Sequence, residues 1–146
     1  TAGEVYVFDE IGLQNSNTFE LAKLMQEKGR GLPVYPDPAG KARTSNSTKS
    51  DHMILQEAGF TVISKKANPT QKDRLNALNK MLEDATGKQK LFINPKCKNT
   101  IRDLELCTLE NGQILKTETL SHFLDALCYP VDYRYGFKGQ AKAIEW

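Results

Sequence analysis

Long apolar runs are missing from this chain. Its hydrophobic stretches fall far short of the roughly 20 residues that cross a bilayer, which excludes a membrane-spanning helix. No signal peptide is expected from the residues at its start. Cysteine is scarce: Cys97, Cys107 and Cys128 are odd in number and show no CxxC spacing. That argues against a zinc site or a disulfide framework and for reduced, packed thiols of a cytoplasmic compartment. An excess of charge is lacking too. Lys and Arg number 20 against 18 Asp and Glu, for a net charge of +2. Any attraction to phosphates must therefore come from local clustering. No GxxxxGK[ST] loop occurs, so a P-loop ATPase motor is absent. Internal repeats and a domain-sized linker are absent as well.

What is present suits one globular domain spanning 1–146, with 39% apolar and 26% charged residues. VYVFDEI (Val5 to Ile11) is a β-prone apolar run ending in two acids, and it reads as a buried strand. Asn17 and Glu20 form a capping-box pair for a helix that carries Leu21, Leu24 and Met25 and stops at Gly29. LPVY (Leu32 to Tyr35) is a short strand, and Pro33 argues against a central, fully paired place for it. PDPAGKARTSNSTKS (Pro36 to Ser50) reads as a polar loop. Thr48 or Asp51 caps the next helix, which ends at Gly59.

TVIS (Thr61 to Ser64) is a third strand. Asn68 and Pro69 open a helix with Leu75, Leu78 and Leu82 on its apolar face. LFI (Leu91 to Ile93) is a fourth strand, followed by a helix from about Lys96. Asn111-Gly112 has the signature of a tight hairpin turn between strands at Cys107 to Glu110 and Gln113 to Lys116. The last helix spans roughly Leu120 to Val131, and 132–146 reads as an irregular tail. Strands alternating with helices imply an α/β domain with parallel pairing.

The candidate chemistry is acidic. Asp37 ends a strand, and ligands in open α/β sheets bind outside the carboxyl ends of strands. On a helical wheel at about 100° per residue, Leu124, Leu127, Cys128 and Val131 share one side of the last helix. His122, Asp125, Ala126 and Tyr129 share the other. An ordinary amphipathic helix explains that pattern equally well, and Pro-Asp-Pro is ordinary turn chemistry.

The functional alternative brings Asp37, His122 and Asp125 to one place. Clustered carboxylate oxygens are what Mg²⁺ or Mn²⁺ requires. His122 would then be a second ligand, a proton shuttle or a phosphate contact. Asp9 and Glu10, at the end of the first strand, are weaker candidate ligands. Phosphodiester hydrolysis by two divalent cations about 3.5–4 Å apart needs several such acids.

Several segments in order carry a resemblance: VYPDPAG, SDHMILQEAGF, TVISKKANPTQKDRLNALNKML, LFINPKCKNTIRDLELCTL and LSHFLDALCYPV. From about Val5 to Tyr133 the chain resembles the C-terminal nuclease domain of the large terminase subunits that package tailed-bacteriophage DNA. The resemblance implies an RNase H-like mixed sheet flanked by helices. Within it an acidic cluster would bind two divalent cations, Mg²⁺ or Mn²⁺. It implies endonuclease cleavage of concatemeric double-stranded DNA in the host cytoplasm.

By motif match Asp37 is the second acid of that family, Asp125 its C-terminal acid, and His122 a histidine found in some members. The family's first acid lies on a glycine-rich hairpin ahead of the strand at Val5, so the nuclease domain here is expected to be N-terminally incomplete. The implied partners are the terminase ATPase domain, the small terminase subunit and the portal. Lys41, Arg43, Lys49, Lys65, Lys66, Lys72 and Arg74 would sit beside the acids and touch phosphates without reading bases. Two alternatives stand beside this one: an RNase H-like resolvase or recombinase relative, and a non-catalytic DNA-binding module.

Overall fold

Two parallel strand pairs, each with its own apolar cluster, organise the molecule. The computed structural model describes residues 3–43, 48–110, 113–114 and 121–136. Strand β1 (Val5–Val7) pairs in parallel with β4 (Leu91–Ile93), with Val5 opposite Leu91 and Val7 opposite Ile93. Strand β2 (Pro33–Val34) pairs in parallel with β3 (Thr61–Val62). A short antiparallel hairpin, β5 (Leu109–Glu110) with β6 (Gln113–Ile114), completes the strands, and its turn lies outside the described residues. The chain is thus a mixed α/β protein. Among the described residues the strands form separate two-stranded sheets, where a mixed central sheet was expected.

Period-two alternation explains β1 and β4. Val5, Val7, Leu91 and Ile93 face a core built on helices α3 (Gln71–Leu82) and α5 (His122–Tyr135). Tyr6 and Phe92 point the other way, stacked with ring centroids 5.1 Å apart and exposed to solvent. Leu78, Met81, Leu124, Leu127, Cys128 and Val131 fill that core. The wheel of the last helix placed the final four of these on its buried side. The second cluster joins Ala22 of α1 (Thr18–Lys28), Leu55 of α2 (Asp51–Glu57) and Phe60, against Val34 and Val62 of the smaller strand pair.

Capping sets several boundaries. Asn17 caps α1 by accepting from the Glu20 N–H at 3.0 Å, as its sequence predicts. Ser50, rather than Thr48 or Asp51, caps α2, accepting from Met53. Thr70 caps α3, so that helix opens two residues after the expected Asn68. Helix α4 (Lys98–Leu106) follows Cys97, which supplies no side-chain cap. Helix α5 runs through Pro130 to Tyr135, into the stretch expected to be irregular. Proline removes the hydrogen bond to the carbonyl four residues back. That carbonyl belongs to Ala126, on the exposed side of the helix, where water can satisfy it.

Candidate acidic site

Asp37 follows β2 and opens a 3₁₀ turn, Pro38–Lys41. Its carboxylate accepts from the Ala39 N–H at 2.8 Å, and Pro38 occupies the first helical position, where its missing N–H costs nothing. Gly40 has a steric reason: a Cβ there would come within 3.0 Å of the His52 ring. That ring is buried, and its Nε2–H donates to the Asp37 carbonyl at 2.8 Å. Turn and α2 are thereby locked together, which fixes where the Asp37 carboxylate points.

The carboxylate then meets α3 and α5. Asn68 donates its amide to Asp37 at 3.0 Å, and the Tyr129 phenol on α5 interacts with it as well. One turn earlier on α5, Asp125 pairs with Arg74 of α3 at 3.3 Å. The Arg74 guanidinium also lies over the Tyr129 ring, 4.7 Å from its centroid. Asp37 and Asp125, from distant parts of the sequence, thus converge on one arginine and one tyrosine.

Electrostatics follow from that geometry. Burial pushes the Asp37 carboxyl up. The hydrogen bonds from Ala39, Asn68 and Tyr129, with the Arg74 charge, outweigh it and hold the group below the ordinary carboxylate range. Burial pushes the Tyr129 phenol up to about 12, assisted by its bond to Asp37. Tyr129 is therefore a neutral hydrogen-bond donor at physiological pH. Burial also pushes the Cys128 thiol up to about 12 and raises the Cys97 and Cys107 thiols. All three cysteines are free, and burial favours the neutral thiol at each.

The site lies at the seam between the two apolar clusters. Lys65, just past β3, reaches Asp132 on α5 at 2.5 Å. Tyr35 and Tyr133 pack with ring centroids 5.3 Å apart, and Arg134 contacts the Tyr35 hydroxyl at 3.5 Å.

The other expected residues have different neighbours. Glu10 spends both carboxylate oxygens on the first turn of α4. It accepts from the Asn99 N–H at 2.9 Å and side-chain amide at 3.0 Å, and from the Thr100 N–H at 2.8 Å and hydroxyl at 2.7 Å. Asp9 pairs with Lys28 at 2.5 Å and Lys96 at 3.5 Å. Neither acid has Asp37 or Asp125 among these partners.

His122 is exposed and lines another groove, with Asn99, Arg102, Phe123 and the 11–18 segment. Among the expected phosphate contacts, Lys41, Arg43, Lys66 and Lys72 are exposed. Lys49 pairs with Glu57 and Lys65 with Asp132. Arg74 is only 8% exposed and is turned toward Asp125, so it is a buried partner of the acids rather than a surface contact for DNA.

The donor chemistry of Asp37 and Asp125 suits a hard divalent cation, but the set is too small for two. Among the described residues no three His, Cys, Asp or Glu side chains are grouped to hold a metal ion. The residues in view do not by themselves make a two-metal centre. Tyr129 is a site residue that the acid pattern did not single out, though it shares the polar side of α5. Arg74 was expected beside the acids as a phosphate contact; it is instead buried on the otherwise apolar face of α3, one turn before Ala77 and Leu78.

Among the described residues no helix is long and apolar enough to cross a membrane. No family model, curated protein or solved structure matches the chain.

Proposed function

We propose that this chain is an RNase H-like nuclease domain of a tailed-bacteriophage large terminase subunit, a DNA endonuclease that cuts concatemeric DNA during packaging in the host cytoplasm. One observation carries the reading. Asp125, one of the two acids assigned by resemblance, pairs with Arg74, whose guanidinium lies over the Tyr129 ring, and Asp37, the other, interacts with that same tyrosine. The parallel pairing of β1 with β4 and of β2 with β3 supports it at the level of fold.

Mg²⁺ or Mn²⁺ belongs to this proposal together with a further carboxylate, which the resemblance places on a strand ahead of Val5. Exposed Lys41, Arg43, Lys66 and Lys72 flank the acids as contacts for double-stranded DNA phosphates, a role that needs no base reading. The ATPase domain, the small subunit and the portal are the partners in this reading.

Plasmid nicking by the full-length protein in Mn²⁺ or Mg²⁺ is the test. Asp37→Ala and Asp125→Ala should each abolish cutting while the circular-dichroism spectrum stays unchanged. His122→Ala should weaken it less. Full cutting by both acid variants would remove the assignment. A second reading, a DNA-binding module without catalysis, is favoured by the missing third acid among the described residues. It predicts DNA retention in a gel-shift experiment with no nicking in either metal.

A further inference from the structure

An aromatic pair with cations around it adjoins the acid site. Tyr35 stands two residues before Asp37, and Tyr133 one turn after Tyr129 on α5. Their rings pack at a tilt of 50° with centroids 5.3 Å apart, and Tyr133 remains 38% exposed. Arg134 Nη1 donates to the Tyr35 hydroxyl at 3.5 Å. Lys65 reaches Asp132 at 2.5 Å, and Lys41 Nζ donates to the Lys65 carbonyl at 2.5 Å. Lys41 and Arg134 are exposed, whereas Asp132 is 3% exposed. The cations face water and the acid paired with Lys65 does not.

Tyr35, Pro36, Pro38, Lys65, Tyr129 and Tyr133 line a hollow of about 10 Å³. That is room for about one water molecule. A ligand must therefore lie on these rings, not among them. A ring that is held in place and partly exposed offers a π-face, and nucleobases stack on such faces whatever their sequence. Arginine and lysine beside the rings suit the phosphate that a base carries with it. A paired base shows only its edges in the grooves of a duplex, whereas a base that has left the stack presents its face.

We infer that Tyr35 and Tyr133 form a stacking shelf for an unpaired nucleotide of a nucleic-acid strand, with Lys41 and Arg134 on its phosphates. The shelf is continuous with Asp37 through the chain itself and with Tyr129 along α5. The inference rests on the nuclease reading and names the form of the substrate beside the acids, a strand locally out of the duplex.

The test is fluorescence anisotropy of a labelled oligothymidylate on the 146-residue chain, in EDTA so that nothing is cut. An abasic oligonucleotide of equal length keeps the phosphates and removes the bases. Wild type should bind the oligothymidylate about tenfold more tightly than the abasic strand. Tyr133→Ala should erase that gap with the salt slope unchanged, and Tyr133→Phe, which keeps the ring, should preserve it. Arg134→Gln should weaken both strands alike and lower the salt slope by about one phosphate contact.

Equal affinity of wild type for the two strands, binding to neither, or a gap that survives in Tyr133→Ala overturns the inference. Should Tyr133→Ala fail to fold, wild type with carbon-labelled tyrosine decides, its Tyr133 ring signals assigned by their absence in Tyr133→Phe. Those signals should move with oligothymidylate and stay still with the abasic strand; signals unmoved by both overturn the shelf. The two readings fail separately. A missing gap leaves the nicking test of Asp37 and Asp125 standing, and missing nicking in either metal leaves the gap to be read in EDTA.

Discussion

Glu10 Oε2 accepts from both the backbone N–H and the hydroxyl of Thr100, a residue ninety positions further along the chain. The helix that begins there has no cap from its own preceding residue, so a carboxylate from the end of β1 does that work. Anions at helix N-termini are stabilising because the unpaired N–H groups and the helix dipole both favour them. Glu10→Ala should therefore lower unfolding stability by about 1–3 kcal/mol, read from urea denaturation.

The same contact gives a pH dependence. Burial raises the Glu10 carboxyl, but its bonds to Asn99 and Thr100 outweigh that and bring it below the ordinary value of 4.5. A depressed folded value contributes stability above the unfolded one and loses it as pH falls through the folded one. The stability gap between wild type and Glu10→Gln should hold at neutral pH and shrink below pH 4.5. A gap independent of pH would contradict this.

Asp103 repeats the device for α5. Ser121 precedes that helix in a left-handed conformation, φ 84°, and makes no side-chain cap. Asp103, fully buried, accepts instead from the N–H groups of Phe123 at 2.9 Å and Leu124 at 3.3 Å, and pairs with Arg102 at 3.0 Å. Asp103→Ala would bury donors without an acceptor. It should cost about 2–5 kcal/mol in chemical denaturation, and a loss below about 0.5 kcal/mol, the scatter of ordinary surface substitutions, would count against the cap.

Lysines beside the acids divide into two roles. Lys65 neutralises Asp132, which is 3% exposed, so Lys65→Ala should lower the melting temperature by leaving a buried carboxylate unpaired. Lys66 and Lys72 are exposed. Their alanine variants should keep the wild-type melting temperature, weaken DNA binding, and each reduce the salt dependence of affinity by about one phosphate contact. Fluorescence anisotropy across a salt series measures both. Unchanged salt slopes would count against the proposed contact of these lysines with DNA.

The thiols should divide by burial. Cys97 and Cys128 are buried and Cys107 only partly so. In native protein a colourless-to-yellow thiol reagent should label Cys107 first and leave Cys97 and Cys128 slow; denaturation should release all three. Rapid native labelling of Cys128 would contradict its packing against α3.

Much of the local structure was legible in the residues because its causes are local. The periodicity of Leu124, Leu127, Cys128 and Val131 marks their helix face, and Leu91 to Ile93 is a strand by composition alone. Asn17 and Gly29 bracket α1 through capping chemistry. The caps supplied by Glu10 and Asp103 were hidden, since each depends on a contact far along the chain and a carboxylate at a strand end looks like any exit to solvent.

Asn68 was hidden for a related reason: Asn before Pro suits a helix start, yet its amide is drawn to Asp37 while Thr70 takes the cap. Asp37 and Asp125 were legible as acids on polar surfaces. That Arg74 pairs with Asp125 from inside the fold, instead of facing DNA, was not, because it lies on a helix face whose other buried members are apolar.

Placing the two acids on opposite sides of the seam has a mechanical consequence. Asp37 is carried by the turn after β2, locked to α2, while Asp125 rides on α5 against the larger core. Their spacing is therefore a property of how the two halves lean together, not of either half alone. A shift of the turn after β2 relative to α5 would change the gap between the carboxylates.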